Sequence, residues 1–96
     1  MCKESVSFKN RDRMIQLGIV IAALRRMRGM TQEQLAEKVD ISRSHLSAIE
    51  APNMVRGMTL DTFFNLADAL DIDPGELINA SMFPDKVLKK RQEEGE

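Results

Sequence analysis

Apolar residues recur at three- and four-residue spacing through most of the chain, and no stretch alternates with period two. This pattern predicts helices and no strands. The first helix spans about Asp12 to Arg28 and is closed by Gly29, with Met14, Leu17, Ile21, Leu24 and Met27 or Arg28 on its inner stripe. Ile15, Ile19 and Val20 fall off that stripe and widen the apolar surface beyond what one neighbouring helix needs. Four later helix starts share one pattern: an apolar residue, a capping residue, then an apolar residue four positions after the cap. The sets are Met30-Thr31-Leu35, Ile41-Ser42-Leu46, Met58-Thr59-Phe63 and Ile72-Asp73-Leu77. Each is a hydrophobic staple over a capped N-terminus. Asp73-Pro74-Gly75-Glu76 adds Pro at the first helical position and a Glu placed to close a capping box. The helix from Leu60 to about Leu70 carries an apolar arc of roughly 160°, wider than an ordinary core stripe, with Phe64 and Leu66 at its opposite edges. A short fifth helix runs from Pro74 to about Asn79. The segment Pro84 to Gln92 could form a charged sixth, anchored only by Val87 and Leu88. The organisation expected is a flexible N-terminal arm over 1–11, one domain over 12–80 and a C-terminal tail over 81–96.

The centre of this pattern is Thr31 to Glu50, TQEQLAEKVDISRSHLSAIE. Thr31 caps one helix, with Gln34 three residues on to answer it, and Leu35, Ala36 and Val39 share a face. A second helix starts at Ser42, with Leu46 and Ile49 inward. Asp40 stands at the bend, where a residue with φ > 0 is needed and Asp is among the few besides Gly that tolerate it. Two helices so close cross at a steep angle, which is helix-turn-helix geometry. The outer face of the second is Arg43, Ser44, Ser47 and Ala48: small, polar and built around one Arg, so it can enter a groove.

Composition narrows the classes. Ninety-six residues make one domain. The longest apolar run, Leu17 to Leu24, is too short to span a bilayer, and the first ten residues show no signal-peptide pattern. The lone Cys2 cannot form an internal disulfide, which suits a reducing cytoplasm. The formal net charge is −1, but it is unevenly spread. Residues 9–43 hold eight basic and four acidic residues, whereas 44–96 hold five basic and ten acidic. Phosphate attraction follows local charge, so the first half suits a polyanion although the whole does not.

The residues from about Leu17 to Ile78 resemble the phage-repressor-like helix-turn-helix domains, the Cro/repressor or Xre-type regulators of bacteria and phage. The matching pieces are Leu24-Arg25, Gly29-x-Thr31-Gln32-x-x-Leu35-Ala36, the Ile41-Ser42 turn, Ser44-x-Leu46-Ser47-x-Ile49-Glu50, Leu60 through Leu70, and Asp73-Pro74-x-Glu76-Leu77. The resemblance implies an all-α, five-helix fold whose second and third helices form the reading unit. It implies that Gln32 holds a DNA phosphate and braces the reading helix, that Arg43, Ser44 and Ala48 look out at base edges, and that Arg25 and Glu50 pair across two helices. Two departures stand out. Asp40 replaces the usual turn glycine, and the loop after Glu50 is about two residues longer than the commonest form.

Read from the residues themselves, Arg43 offers a two-donor fork that matches N7 and O6 of guanine, or alternatively a phosphate. Ser44 can donate to a base or a phosphate. The Ala48 methyl could meet a thymine methyl, or be small only to let the backbone approach. His45 and Ser47 are placed for phosphate contact or for solvent, as are Asn53 and Arg56 on the long loop. Gln32 and the N-terminus of its helix can also donate to phosphate. For Arg25 and Glu50 the competing reading is an exposed ion pair. The sequence holds no metal-ligand set, no cofactor motif and no catalytic constellation.

The function expected is a sequence-specific regulator that binds double-stranded DNA. It would act as a homodimer on an inverted repeat, since one short helix reads few bases and two copies about 34 Å apart double the contacts. The spare apolar surface on Phe64, Leu66 and Ile19 is the expected interface. The alternative is an interaction module of the same fold, antitoxin-like or a scaffold, with an unidentified protein partner. It is favoured by the sequence pI of about 5.8 and the single base on the reading face.

Overall fold

The computed structural model describes residues 7–52 and 57–82. The element order is a 3-10 turn at Phe8–Asn10, then α1 (Arg11–Met27), α2 (Gln32–Lys38), α3 (Arg43–Glu50), α4 (Leu60–Ala69) and α5 (Pro74–Met82). No strand occurs among the described residues. The fold is the all-α, five-helix arrangement the periodicity predicts. The sixth helix expected in the tail, and the loop residues Asn53 and Arg56, lie outside the described residues.

Three of the four connections between consecutive helices are built alike. After α1, the amide of Gly29 donates to the carbonyl of Arg26 (3.0 Å) and that of Met30 to Arg25 (3.1 Å). After α2, Asp40 donates to Glu37 (3.3 Å) and Ile41 to Ala36 (3.0 Å); after α4, Asp71 donates to Asp68 (3.1 Å) and Ile72 to Ala67 (3.0 Å). These are Schellman pairs, and each needs a left-handed residue at its corner. The residues there are Gly29 (φ 73°), Asp40 (φ 59°) and Asp71 (φ 58°). Met30, Ile41 and Ile72 close one helix and also serve as the apolar residue before the next cap. All three pack on the core, as does Met58 before α4. A single left-handed residue therefore reverses the chain within one step, and the cap that follows restarts it.

The caps are in place. Thr31 Oγ1 accepts from the Gln34 amide (3.1 Å) and Gln34 Oε1 accepts from the Thr31 amide (2.9 Å), a complete capping box. Ser42 caps His45 (3.0 Å) and Thr59 caps Thr62 (3.1 Å). At α5 the expected box does not close on Glu76. The Asp73 carboxylate accepts from the Gly75 amide (3.0 Å) instead.

The core comprises Leu17, Ile21, Leu35, Ala36, Val39, Leu46, Ile49, Phe63, Leu66, Ala67, Leu70 and Leu77. The longest helix, α1, packs most extensively on α5 and next on α3. Several expectations need correction. Leu66, placed at a dimer interface, is fully buried: with Phe63, Ala67 and Leu70 it forms the inward three-four stripe of α4. Met27 is exposed rather than on the inner stripe of α1. Its neighbour Arg28 reaches across instead and donates from Nε to the Leu70 carbonyl at the end of α4 (2.8 Å). The 3-10 turn runs into α1, so the segment expected to be a flexible arm as far as residue 11 is helical from Phe8. Phe64 and Ile19 do lie on the surface, 47% and 41% exposed.

Candidate nucleic-acid interface

Two features fix α3. The first is close contact with α1. A Cβ on Gly18 would overlap the carbonyl oxygen of Ile49 and crowd its carbonyl carbon, so only glycine lets the two helix backbones approach this closely. The apolar side of α3, Leu46 and Ile49, then sinks into the core. The second is a buried polar network. Arg25 Nε and Nη2 donate to Glu50 Oε2 and Oε1 (2.8 and 3.2 Å). Arg25 Nη1 donates to the Met30 carbonyl in the α1–α2 connection (2.7 Å), and Gln32 Nε2 donates to Glu50 Oε1 (2.9 Å). Both charged side chains are nearly inaccessible, which rules out the exposed ion-pair reading. The Glu50 carboxylate thus ties the C-terminal end of α3 to α1 and to the first residue of α2, and Arg25 extends the tie to the corner before α2. Each charge keeps its partner, as burial of an ion requires.

The opposite side of α3 is exposed. Arg43, Ser44 and Ser47 face solvent, and the hydroxyls of Ser42 and Ser44 lie 3.3 Å apart. Arg43 makes no hydrogen bond or ion pair among the described residues. It borders two shallow depressions at the junction of α2 and α3. Arg25, Met30, Thr31, Gln32 and Glu33 complete the first; Glu33, Ala36, Glu37 and Ile41 complete the second.

One predicted contact changes. Ala48 is 8% exposed, not on the outer face. It follows Ser47 by about 100° round the helix, and that step carries it past the edge of a strip narrowed by the deep seating of α3. His45 is half-buried beside that edge. Gln32 is brought to the head of α2 beside Arg43 and braces α3 through Glu50, as expected of it. Gly18 and Arg28 were not among the predicted positioning residues. The only sequence signal for Gly18 is a glycine inside an apolar helix. Among the described residues no group of His, Cys, Asp and Glu side chains could hold a metal ion, and no helix is long and apolar enough to cross a membrane.

Comparison with known proteins agrees with this geometry. A family model described as helix-turn-helix matches residues 21–77. No curated protein matches the chain by sequence. Among solved structures, the chain is similar to the restriction-modification controller protein C.AhdI from Aeromonas hydrophila, with 34% identity over 67% of this chain and 94% of that one (TM-score 0.61). It is also similar to C.Esp1396I bound to a 19 base pair DNA duplex, with 28% identity over 79% and 93% (TM-score 0.64). A hypothetical transcription factor, NHTF from Neisseria, shares the fold at 22% identity over 93% and 95% (TM-score 0.66). With a buried Arg25–Glu50 clamp behind an open Arg43–Ser44–Ser47 strip, and a family match running from α1 into α5, the chain belongs to the phage-repressor-like helix-turn-helix family.

Proposed function

We propose that the protein is a sequence-specific transcriptional regulator that lays α3 in the major groove of double-stranded DNA and works in the cytoplasm as a homodimer on an inverted repeat. One observation carries the reading. Arg43, Ser44 and Ser47 stand exposed on α3, while the rest of that helix is locked from behind by Gly18, Arg25, Gln32 and Glu50. A rigid helix with one cationic fork and two small hydroxyls on its free side fits a groove that displays paired acceptors on guanine. In this reading Arg43 and Ser44 contact bases, Gln32, His45 and Ser47 contact phosphates, and Asn53 and Arg56 extend the phosphate contacts from the loop. Ala48 only lets the backbone come near. Support also comes from C.Esp1396I, a similar chain seen on a DNA duplex.

The dimer rests on apolar surface the monomer leaves uncovered: Phe64 on α4, Ile78 on α5 and Ile19 on α1. A second reading, an interaction module that has lost DNA binding, draws on Glu33 and Glu37 standing beside Arg43. Salt separates the two. A DNA reader making several phosphate contacts loses affinity steeply, by orders of magnitude between about 50 and 200 mM salt. Fluorescence anisotropy on a duplex containing a selected site should show that loss. Absence of binding at the lower salt would favour the interaction module.

A further inference from the structure

Arg43 is not alone at the leading end of α3. Both depressions that it borders are also bordered by Glu33, which lies in the first turn of α2. Glu33 is exposed and makes no hydrogen bond or ion pair among the described residues, so it caps nothing and braces nothing. It stands one residue from Gln32, the side chain expected to meet a phosphate. A carboxylate in the first turn of α2 favours the helix dipole, but it is an unfavourable group to keep beside a polyanion.

We infer that Glu33 is a specificity-determining residue: its charge guards Arg43 against use as a general phosphate clamp. The inference rests on the DNA-reading assignment above. Its physical basis is a difference between two ligands of the same guanidinium. A phosphate carries a full negative charge, so a neighbouring carboxylate repels it directly. The edge of guanine is neutral and binds through two directed hydrogen bonds, so the same carboxylate costs it far less. Placing Glu33 beside Arg43 therefore weakens sequence-independent binding more than base-specific binding, and the ratio between them rises. Glu37 borders only one of the two depressions and acts in the same sense more weakly.

The test compares the unaltered chain with Glu33→Gln, Glu33→Asp and, as a distant charge control, Asp61→Asn on α4. Anisotropy is read on two labelled duplexes of equal length, one carrying the site enriched from random DNA and one of scrambled sequence. Glu33→Gln should bind the scrambled duplex about three- to fivefold more tightly and the enriched duplex little differently, so discrimination falls. Glu33→Asp keeps the charge and should keep most of the discrimination; Asp61→Asn should leave the ratio unchanged. Circular dichroism melting confirms that each variant is folded. An unchanged ratio in Glu33→Gln, a change matched by Asp61→Asn, or a loss confined to the enriched duplex overturns the guard while leaving the DNA-binding reading intact. If the unaltered chain binds neither duplex, the reading itself fails and the guard fails with it.

Discussion

Glu50 accepts three hydrogen bonds in a site that water barely reaches, two from Arg25 and one from Gln32. Its removal does more than delete an attraction, because it leaves a guanidinium buried without its counter-charge. Glu50→Ala should therefore cost about 3–5 kcal/mol of folding stability, read as a shift in the urea unfolding midpoint. The double change Arg25→Met with Glu50→Leu should recover most of that loss, since two apolar side chains of similar size leave no charge stranded. If the double variant is no more stable than the single one, the pair contributes through shape rather than charge. Arg43, seven residues earlier on the same helix, is the counter-example: it is exposed, has no partner among the described residues, and does nothing visible for the fold. A cation that contributes nothing to folding is available for binding.

At the scale of elements, the fold rests on a joint used three times, around Gly29, Asp40 and Asp71, and on one close helix crossing at Gly18. The joint was largely legible in the sequence. Caps, staples and corner residues act within five or six positions: Thr31, Ser42, Thr59 and Asp40 behave as their neighbours imply, and only the box expected between Asp73 and Glu76 does not close. Asp71 carries no such signal, because an Asp before an apolar residue and another Asp reads equally well as ordinary helix surface. The crossing was not legible: what a missing Cβ at Gly18 meets depends on Ile49, thirty-one residues away, and the Arg28–Leu70 bond is equally remote. Ala48 and Leu66 fail for a related reason. Each sits at the rim of an arc, and only the depth to which its helix is seated decides which side of the rim it falls on. Gly18→Ala puts a methyl carbon into the Ile49 carbonyl, so α1 and α3 must separate. The expected cost is about 1–3 kcal/mol, seen as a lower melting temperature, together with weaker DNA binding as α3 is displaced. A variant that melts like the unaltered chain would mean that the crossing relaxes freely.

For the whole molecule, residues 9–43, from the 3-10 turn to the start of α3, carry eight basic and four acidic residues, and the acidic excess follows them. The reading surface therefore stands in a favourable local field although the net charge is −1. Beyond α1 to α3 the molecule leaves Phe64 and Ile78 exposed, the apolar surface on which the proposed dimer rests. Sedimentation at micromolar concentration should show a dimer, and Phe64→Asp should shift it towards monomer and weaken operator binding together, because each copy would then hold its half-site alone. A monomer at every concentration, with and without DNA, would remove the two-fold part of the account.

The most direct test of α3 as the reading element is enrichment of random duplex DNA by the purified chain, run beside Arg43→Ala. The account predicts an inverted repeat with half-sites about one helical turn apart, and a guanine in each half-site whose preference is lost in the Arg43→Ala pool. Recovery of the same guanine preference by both proteins, or enrichment of no sequence by the unaltered chain, would contradict it.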